Sequence, residues 1–195
     1  MARERDETKR TAILEISKKL FAEKGYHGTS ISDIISALNI PAGTIYTYFK
    51  SKDHILTTAI EEGWEDFMGR LETACGAVSD PQKKLELVVT VFLPELFKDT
   101  ELITLILTDG VRFINLKDKL NKLAFFIADI LNALAKKQGT NITLSPKDTT
   151  AALTIFFLGS IDTIRLIKTG TVPLTQADVL NFIKLMIQSG FGITL

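Results

Sequence analysis

One cysteine, two histidines and five prolines in 195 residues leave this chain poor in the residue types that build disulfides, metal sites and chain breaks. Cys75 has no second thiol, so it forms neither an internal disulfide nor a cysteine-based zinc site, which fits a reducing compartment. As a lone small apolar residue it is expected to sit packed in a core. His27 falls in a glycine-flanked turn and His54 at a helix start. Neither stands at ligand spacing from a cysteine or a pair of carboxylates, so no metal is expected. No glycine-rich phosphate loop is present. No residue is assigned a catalytic role, no cofactor is expected, and an enzyme is the poorest reading of the chain.

Long apolar runs are missing too. Mean hydropathy is positive, at +0.19, yet the uncharged stretch from Thr149 to Ile161 is broken by Thr154, Gly159 and Ser160. A membrane-spanning helix needs about 20 mostly apolar residues. The charged start (Met1, Ala2, Arg3, Glu4, Arg5, Asp6, Glu7) does not read as a secretory leader. A cytoplasmic protein with no membrane partner is expected.

Net charge is absent as well: 23 basic residues balance 23 acidic ones. Divided at Lys52, however, the chain is asymmetric. Residues 1–52 hold nine Lys or Arg against six acids, and the remainder is acidic by the same margin. Phosphate neutralisation needs local positive charge rather than a high overall pI.

What is abundant is helical period. Apolar residues recur at the 3.6-residue spacing, Gly and Pro fall between periodic stretches, and no run alternates with period two. Helices are expected at roughly 7–24, 30–37, 41–48, 52–76, 81–98, 101–111, 115–138, 146–169 and 175–190. The fold class is all-α: a three-helix head over residues 1–52 carrying a helix-turn-helix, then a larger helical body over 53–195 for ligand binding and dimerisation.

In the head, Ile13, Leu14, Ile16, Leu20 and Phe21 form one buried stripe, Gly25 ends the helix, and Tyr26 turns back over the core. Thr29 is expected to cap a short helix whose inward positions are Ile31, Ile34, Ile35 and Leu38. Asn39 suits a left-handed turn, and Pro41 suits a first helical position. Two helices of about eight residues with a short turn between them are the unit that offers its second helix to the major groove. With Ile45 and Phe49 inward, Ala42, Gly43, Thr44, Thr47 and Tyr48 are expected on the outer face, with Tyr46 at its flank. Hydroxyls, tyrosines and the following Lys50 and Lys52 suit an interface that positions on phosphates and reads base edges.

The run Gly25-Tyr26, Thr29-Ser30-Ile31, Asp33-Ile34 and Gly43-Thr44-Ile45-Tyr46-Thr47-Tyr48-Phe49-Lys50-Ser51-Lys52 resembles the DNA-binding domain of tetracycline-repressor-like (TetR family) regulators. The resemblance covers roughly residues 9–56. It implies a homodimer on a near-palindromic operator in double-stranded DNA, repressing transcription until a small molecule binds the body. It also implies DNA contacts at Thr29, Ser30, Ser32, Pro41, Ala42, Gly43, Thr44, Tyr46, Thr47, Tyr48 and Lys52. Two positions depart from the family pattern. Pro41 stands where a hydroxyl residue is common, which removes one phosphate contact. Ser32 replaces a longer charged side chain.

In the body, 146–169 and 175–190 are apolar nearly all round, so both are buried on two sides. The second partner is expected to be another copy, with Ala152, Ile155, Phe156, Gly159, Val179, Phe182, Ile183 and Met186 at the dimer interface. The middle is rich in phenylalanine with sparse polar groups, the make-up of a pocket for a largely apolar small molecule. Trp64, Phe67, Phe92, Asp109, Arg112, Phe113, Asn115 and Phe126 are its expected lining. The same residues also fit plain core with an Asp109–Arg112 surface pair. An architectural DNA-binding protein without an effector would keep the head and drop the pocket.

Overall fold

A computed structural model describes residues 2–98, 115–140 and 143–192, and every regular element among them is a helix. The expected helix at 101–111 lies outside the described residues, as do Asp109, Arg112 and Phe113. The elements are α1 (Ala2–Lys24), α2 (Ile31–Leu38), α3 (Ala42–Tyr48), α4 (Lys52–Gly76), α5 (Pro81–Leu87), a π turn (Val88–Phe92), α6 (Leu93–Lys98), α7 (Leu116–Lys137), α8 (Pro146–Lys168) and α9 (Gln176–Phe191). None among the described residues is long and apolar enough to cross a membrane. The described residues form two compact units, the first holding those up to Asp66 together with Asn115, the second those from Phe67 to Lys98 and from Leu116 on.

The first unit is built on the expected stripe. Ile13, Leu14 and Phe21 of α1 meet Tyr26, Ile34 of α2, Ile45 of α3 and Phe49, all buried. Ile55, Leu56, Ala59 and Ile60 of α4 complete the same core. The head therefore does not stop at residue 52. Without those four side chains one side of Phe49 and Ile45 would face water, and each such residue contributes about 1.5–3 kcal/mol when buried.

Turns fix the geometry. Gly25 has φ +75°, and a Cβ at Gly28 would come within 2.2 Å of the Lys24 carbonyl oxygen. The α1–α2 turn is thus closed to larger residues at two points. Asn39 adopts the left-handed conformation expected of it, with φ 51°. The N-cap of α2 is Ser30 rather than Thr29: the Ser30 hydroxyl accepts from the Asp33 N–H at 3.1 Å, and Asp33 accepts in return from the Ser30 N–H at 2.8 Å. The Ser30 hydroxyl, which also donates to the Asp33 carboxylate, lowers that carboxyl to about 2 together with the Ser30 N–H and Lys24 at 3.2 Å.

In the second unit α5 packs on α7, α7 on α8 and α8 on α9. Small residues Ala124, Ala128 and Ala135 line the buried side of α7 among Ile127, Ile130 and Leu134. Cys75 is buried as expected, and that burial pushes its thiol up. Lys137 reaches Asp80 at 2.8 Å, tying the end of α7 to the N-cap of α5 and holding Asp80 below the usual carboxylate range. The Asn132 side chain exchanges two hydrogen bonds with the backbone of Leu144, at 2.9 and 2.8 Å, which anchors the approach to α8.

Two expectations change here. The single helix expected over 81–98 contains a π turn, in which the Leu93 N–H bonds to the Val88 carbonyl. Pro94 supplies the cause, because it cannot donate to Thr90 and its ring would press on that carbonyl. Val179 and Ile183, expected between copies, are buried inside the protomer at 9% and 8% exposure. They lie one turn apart on the face of α9 that packs on α8.

Candidate nucleic-acid interface

The outer surface of α3 follows from its inner one. Ile45 is fully buried and Phe49, the C-cap, nearly so, which turns Ala42, Gly43, Tyr46 and Thr47 outward. These four fall at i, i+1, i+4 and i+5, a single helical face. Tyr46 is 58% exposed, and its phenol has no partner among the described residues. The Thr47 hydroxyl donates to the Gly43 carbonyl at 3.2 Å and keeps its acceptor lone pairs outward. Nothing lies within 4 Å of a Cβ built on Gly43, so no neighbour in the protomer requires glycine there.

The face differs in detail from the expected one. Tyr46, expected at the flank, stands at its centre. Thr44 and Tyr48, expected outward, are half-buried, with Tyr48 packed against the head core. Pro41 is the N-cap rather than the first helical residue, and no side chain caps α3. Ser30 and Ser32 are both exposed, but the Ser30 hydroxyl is occupied by its exchange with Asp33.

Two of the expected DNA contacts are occupied elsewhere. Thr29 is 1% exposed, with its hydroxyl directed at the carbonyls of Leu20 and Gly25 at 3.0 and 2.9 Å. It is a core residue of the turn and presents nothing to a groove. The Lys52 ammonium donates to the carbonyls of Tyr26 and Thr29, each at 2.7 Å, and lies 4.2 Å from the centre of the Tyr26 ring. Sequence shows the charge of such a lysine but not what it folds back upon.

His54, unassigned from sequence, accepts the Lys50 backbone N–H on Nδ1 at 3.2 Å and sets its ring edge-on to Phe49. It fixes the turn between α3 and α4. Arg10 chelates Glu62 with both guanidinium nitrogens and lies over the Phe49 ring at 5.7 Å. Part of the basic head charge is therefore spent within the head.

Of the expected ligand residues in the second unit, Phe67 and Phe92 are buried and meet edge to face, 5.8 Å between ring centres at 85°. Phe92 is the last residue of the π turn. Phe126 is half-buried on α7. Trp64, half-buried, and Asn115, exposed, belong to the first unit. Phe67 and Phe92 are thus brought into direct contact.

Residues 13–59 match the family described as "Bacterial regulatory proteins, tetR family". The chain is 33% identical over 78 residues to the fatty acid metabolism regulator protein of Bacillus subtilis (strain 168). It is 32% identical over 82 residues to the HTH-type transcriptional repressor KstR2 of Rhodococcus jostii (strain RHA1). These matches cover 40% and 42% of this chain and 40% of each relative, so they span about two fifths of those proteins. Among solved structures, the transcriptional regulator FadR from Bacillus subtilis in complex with stearoyl-CoA superimposes with a TM-score of 0.63 at 22% identity, over 92% of this chain and 98% of that one. That likeness extends the shared fold beyond the head. Over residues 13–59, the head of the chain is similar to the tetR family of bacterial regulatory proteins.

Proposed function

We propose that this protein is a homodimeric transcriptional repressor that binds a near-palindromic DNA operator and releases it when a small, largely apolar molecule binds the body. It acts as a regulator rather than an enzyme, in the cytoplasm. The observation that carries the reading is the outward face of α3, where an unpartnered tyrosine hydroxyl and a threonine stand beside glycine and alanine on a helix held from behind by Ile45 and Phe49. The Tyr46 hydroxyl is suited to a phosphate oxygen and Thr47 to a base edge, while Gly43 lets the backbone approach closely. Thr44 borders this face.

Assembly is supported by what α8 and α9 leave uncovered. Ile155, Phe156 and Leu166 on α8 and Phe182, Leu185 and Met186 on α9 are between 41% and 70% exposed. Ala152 and Gly159 are exposed on the same stripe of α8, at i and i+7 around Ile155 and Phe156. An apolar patch of this size on two neighbouring helices marks an interaction surface, and a second copy covers it through an isologous four-helix contact. The Phe67–Phe92 pair supports an apolar effector. The relatives named for fatty acid metabolism and for stearoyl-CoA binding fit that class.

Titration of duplex DNA with the wild-type chain and with Tyr46→Phe tests the reading. Affinity that falls steeply with salt, and that weakens by the same factor for all sequences in Tyr46→Phe, agrees with it. Wild-type affinity for DNA no greater than that of an unrelated acidic protein would reject it. An apolar metabolite that lowers DNA affinity about 5–150-fold, corresponding to 1–3 kcal/mol of coupling, would separate a ligand-responsive repressor from an architectural protein.

A further inference from the structure

We propose that the phosphate-seeking lysine beside α3 is Lys50, and that Lys52 is a positioning residue that fastens the first turn of α4 to the turn before α2. The Lys50 half rests on the DNA-binding reading above; the Lys52 half stands on the fold alone.

Tyr26 is gripped at three places by two consecutive residues of α4. Its carbonyl accepts from the Lys52 ammonium at 2.7 Å, its ring lies under that ammonium, and its hydroxyl donates to the Asp53 carboxylate. The second bond from Lys52, at 2.7 Å, goes to the carbonyl of Thr29. Thr29 is held from the other side by its own hydroxyl, which is directed at Leu20 and Gly25. The backbone from Tyr26 to Thr29 is therefore clamped between α1 and α4. It leads directly into Ser30, the N-cap that sets where α2 begins, and α2 carries α3 against it. Reaching a phosphate would cost Lys52 two charge-assisted bonds and its place over the ring.

The other cations of the head narrow the choice. Lys18, Lys19, Lys24 and Arg10 are paired with Glu15, Glu23, Asp33 and Glu62, and Lys9, exposed, lies on α1 rather than next to α3 in the chain. Lys50 is exposed, directly follows the C-cap of α3, and its ammonium has no partner among the described residues. Its backbone is nonetheless fixed, because its N–H donates to His54. A free ammonium on a fixed backbone at the end of the outward helix is what a phosphate contact requires.

The test uses the full chain, mixed-sequence duplex DNA and three variants. Lys50→Gln is expected to reduce the slope of log affinity against log salt by about 0.9 per lost contact, counted twice in a dimer. Lys52→Gln is expected to keep the wild-type slope while lowering affinity at every salt concentration. Lys52→Arg, which still donates to two carbonyls, is expected to recover most of that loss. Without DNA, the amides of Thr29, Asp33 and Ile34 should exchange faster in Lys52→Gln and at the wild-type rate in Lys50→Gln. A reduced slope in Lys52→Gln with unchanged exchange would overturn the proposal. Should the wild-type chain show no salt-dependent binding to duplex DNA, the DNA-binding reading and the role of Lys50 fall together. Hydrogen exchange then decides the role of Lys52 alone.

Discussion

The two units of this protein treat their apolar residues differently. Among the described residues of the head, the one large hydrophobic side chain left exposed is Tyr46, on the outward face of α3. Among the described residues of the second unit nine are exposed, and five of these fall on one turn-spaced stripe each of α8 and α9: Ile155, Phe156, Phe182, Leu185 and Met186. The head is finished as a single copy, with every apolar side chain of its stripe matched by α2, α3 or the start of α4. The body of one copy is not. The contrast fits the two proposed tasks: a surface that would meet a polar, charged partner and one that would meet another apolar surface.

The largest expected effect comes from breaking the unfinished side. Phe156→Glu or Phe182→Glu places a charge in the proposed contact between copies, where an unpaired buried charge is prohibitive. Each variant should sediment as a monomer at micromolar concentration, where wild type is expected to sediment as a dimer, and should keep its helical circular dichroism. Ile183→Ala should act in the opposite way. It removes a side chain buried inside the protomer and should lower protomer stability by about 2–5 kcal/mol while leaving the dimer contact in place. Sedimentation and denaturant titration on the same preparations separate the two outcomes.

A smaller effect is expected at Gly43, and it carries opposite signs for the fold and for binding. Since a Cβ there meets nothing within 4 Å, Gly43→Ala should stabilise the head by up to about 1 kcal/mol in thermal unfolding. If the backbone of α3 approaches DNA closely, the same methyl should weaken binding. A variant that is both more stable and equally tight would show that Gly43 has no part in the interface.

The smallest effect is a pH dependence of the head. Asp33 is lowered to about 2, chiefly by the Ser30 hydroxyl and backbone N–H and then by Lys24. A depressed carboxyl adds stability above its unfolded value, near 3.8, and that stability is lost as pH falls through the folded value. The difference in stability between wild type and Asp33→Asn should therefore be constant at neutral pH. It should shrink below about pH 4 and be gone only about a unit below the folded value, near pH 1, as followed by thermal melts across that range. A difference that stayed undiminished between about pH 4 and pH 2 would mean that the carboxylate charge is not what the cap uses.

The head was legible in the sequence because its signals are local. Gly25, Asn39 and Pro41 mark the turns within a residue of where they lie, and the i, i+4 pair Ile45 and Phe49 orients α3. Partnerships were not legible. Nothing in the spacing shows that Lys52 folds back on Tyr26, that Ser30 rather than Thr29 caps α2, or that Ile55 and Ile60 belong to the head core. Helices apolar on all sides pose a related problem. Period alone places Val179 and Phe182 on α9 without showing which of them faces inward, and only the position of α8 decides. Pro94 is a local signal of a different kind, since a proline four residues after Thr90 inside a helical pattern warns of an irregular turn there.

The central claim is that paired heads read DNA through α3. The most direct test is selection of bound sites from a pool of random duplex DNA by the wild-type chain. The account predicts recovery of an inverted repeat whose half-sites are centred one helical turn apart, about 34–36 Å, or a multiple of it, and loss of that enrichment in Phe156→Glu. Recovery of single, unpaired half-sites by wild type, or of no common sequence at all, would contradict it.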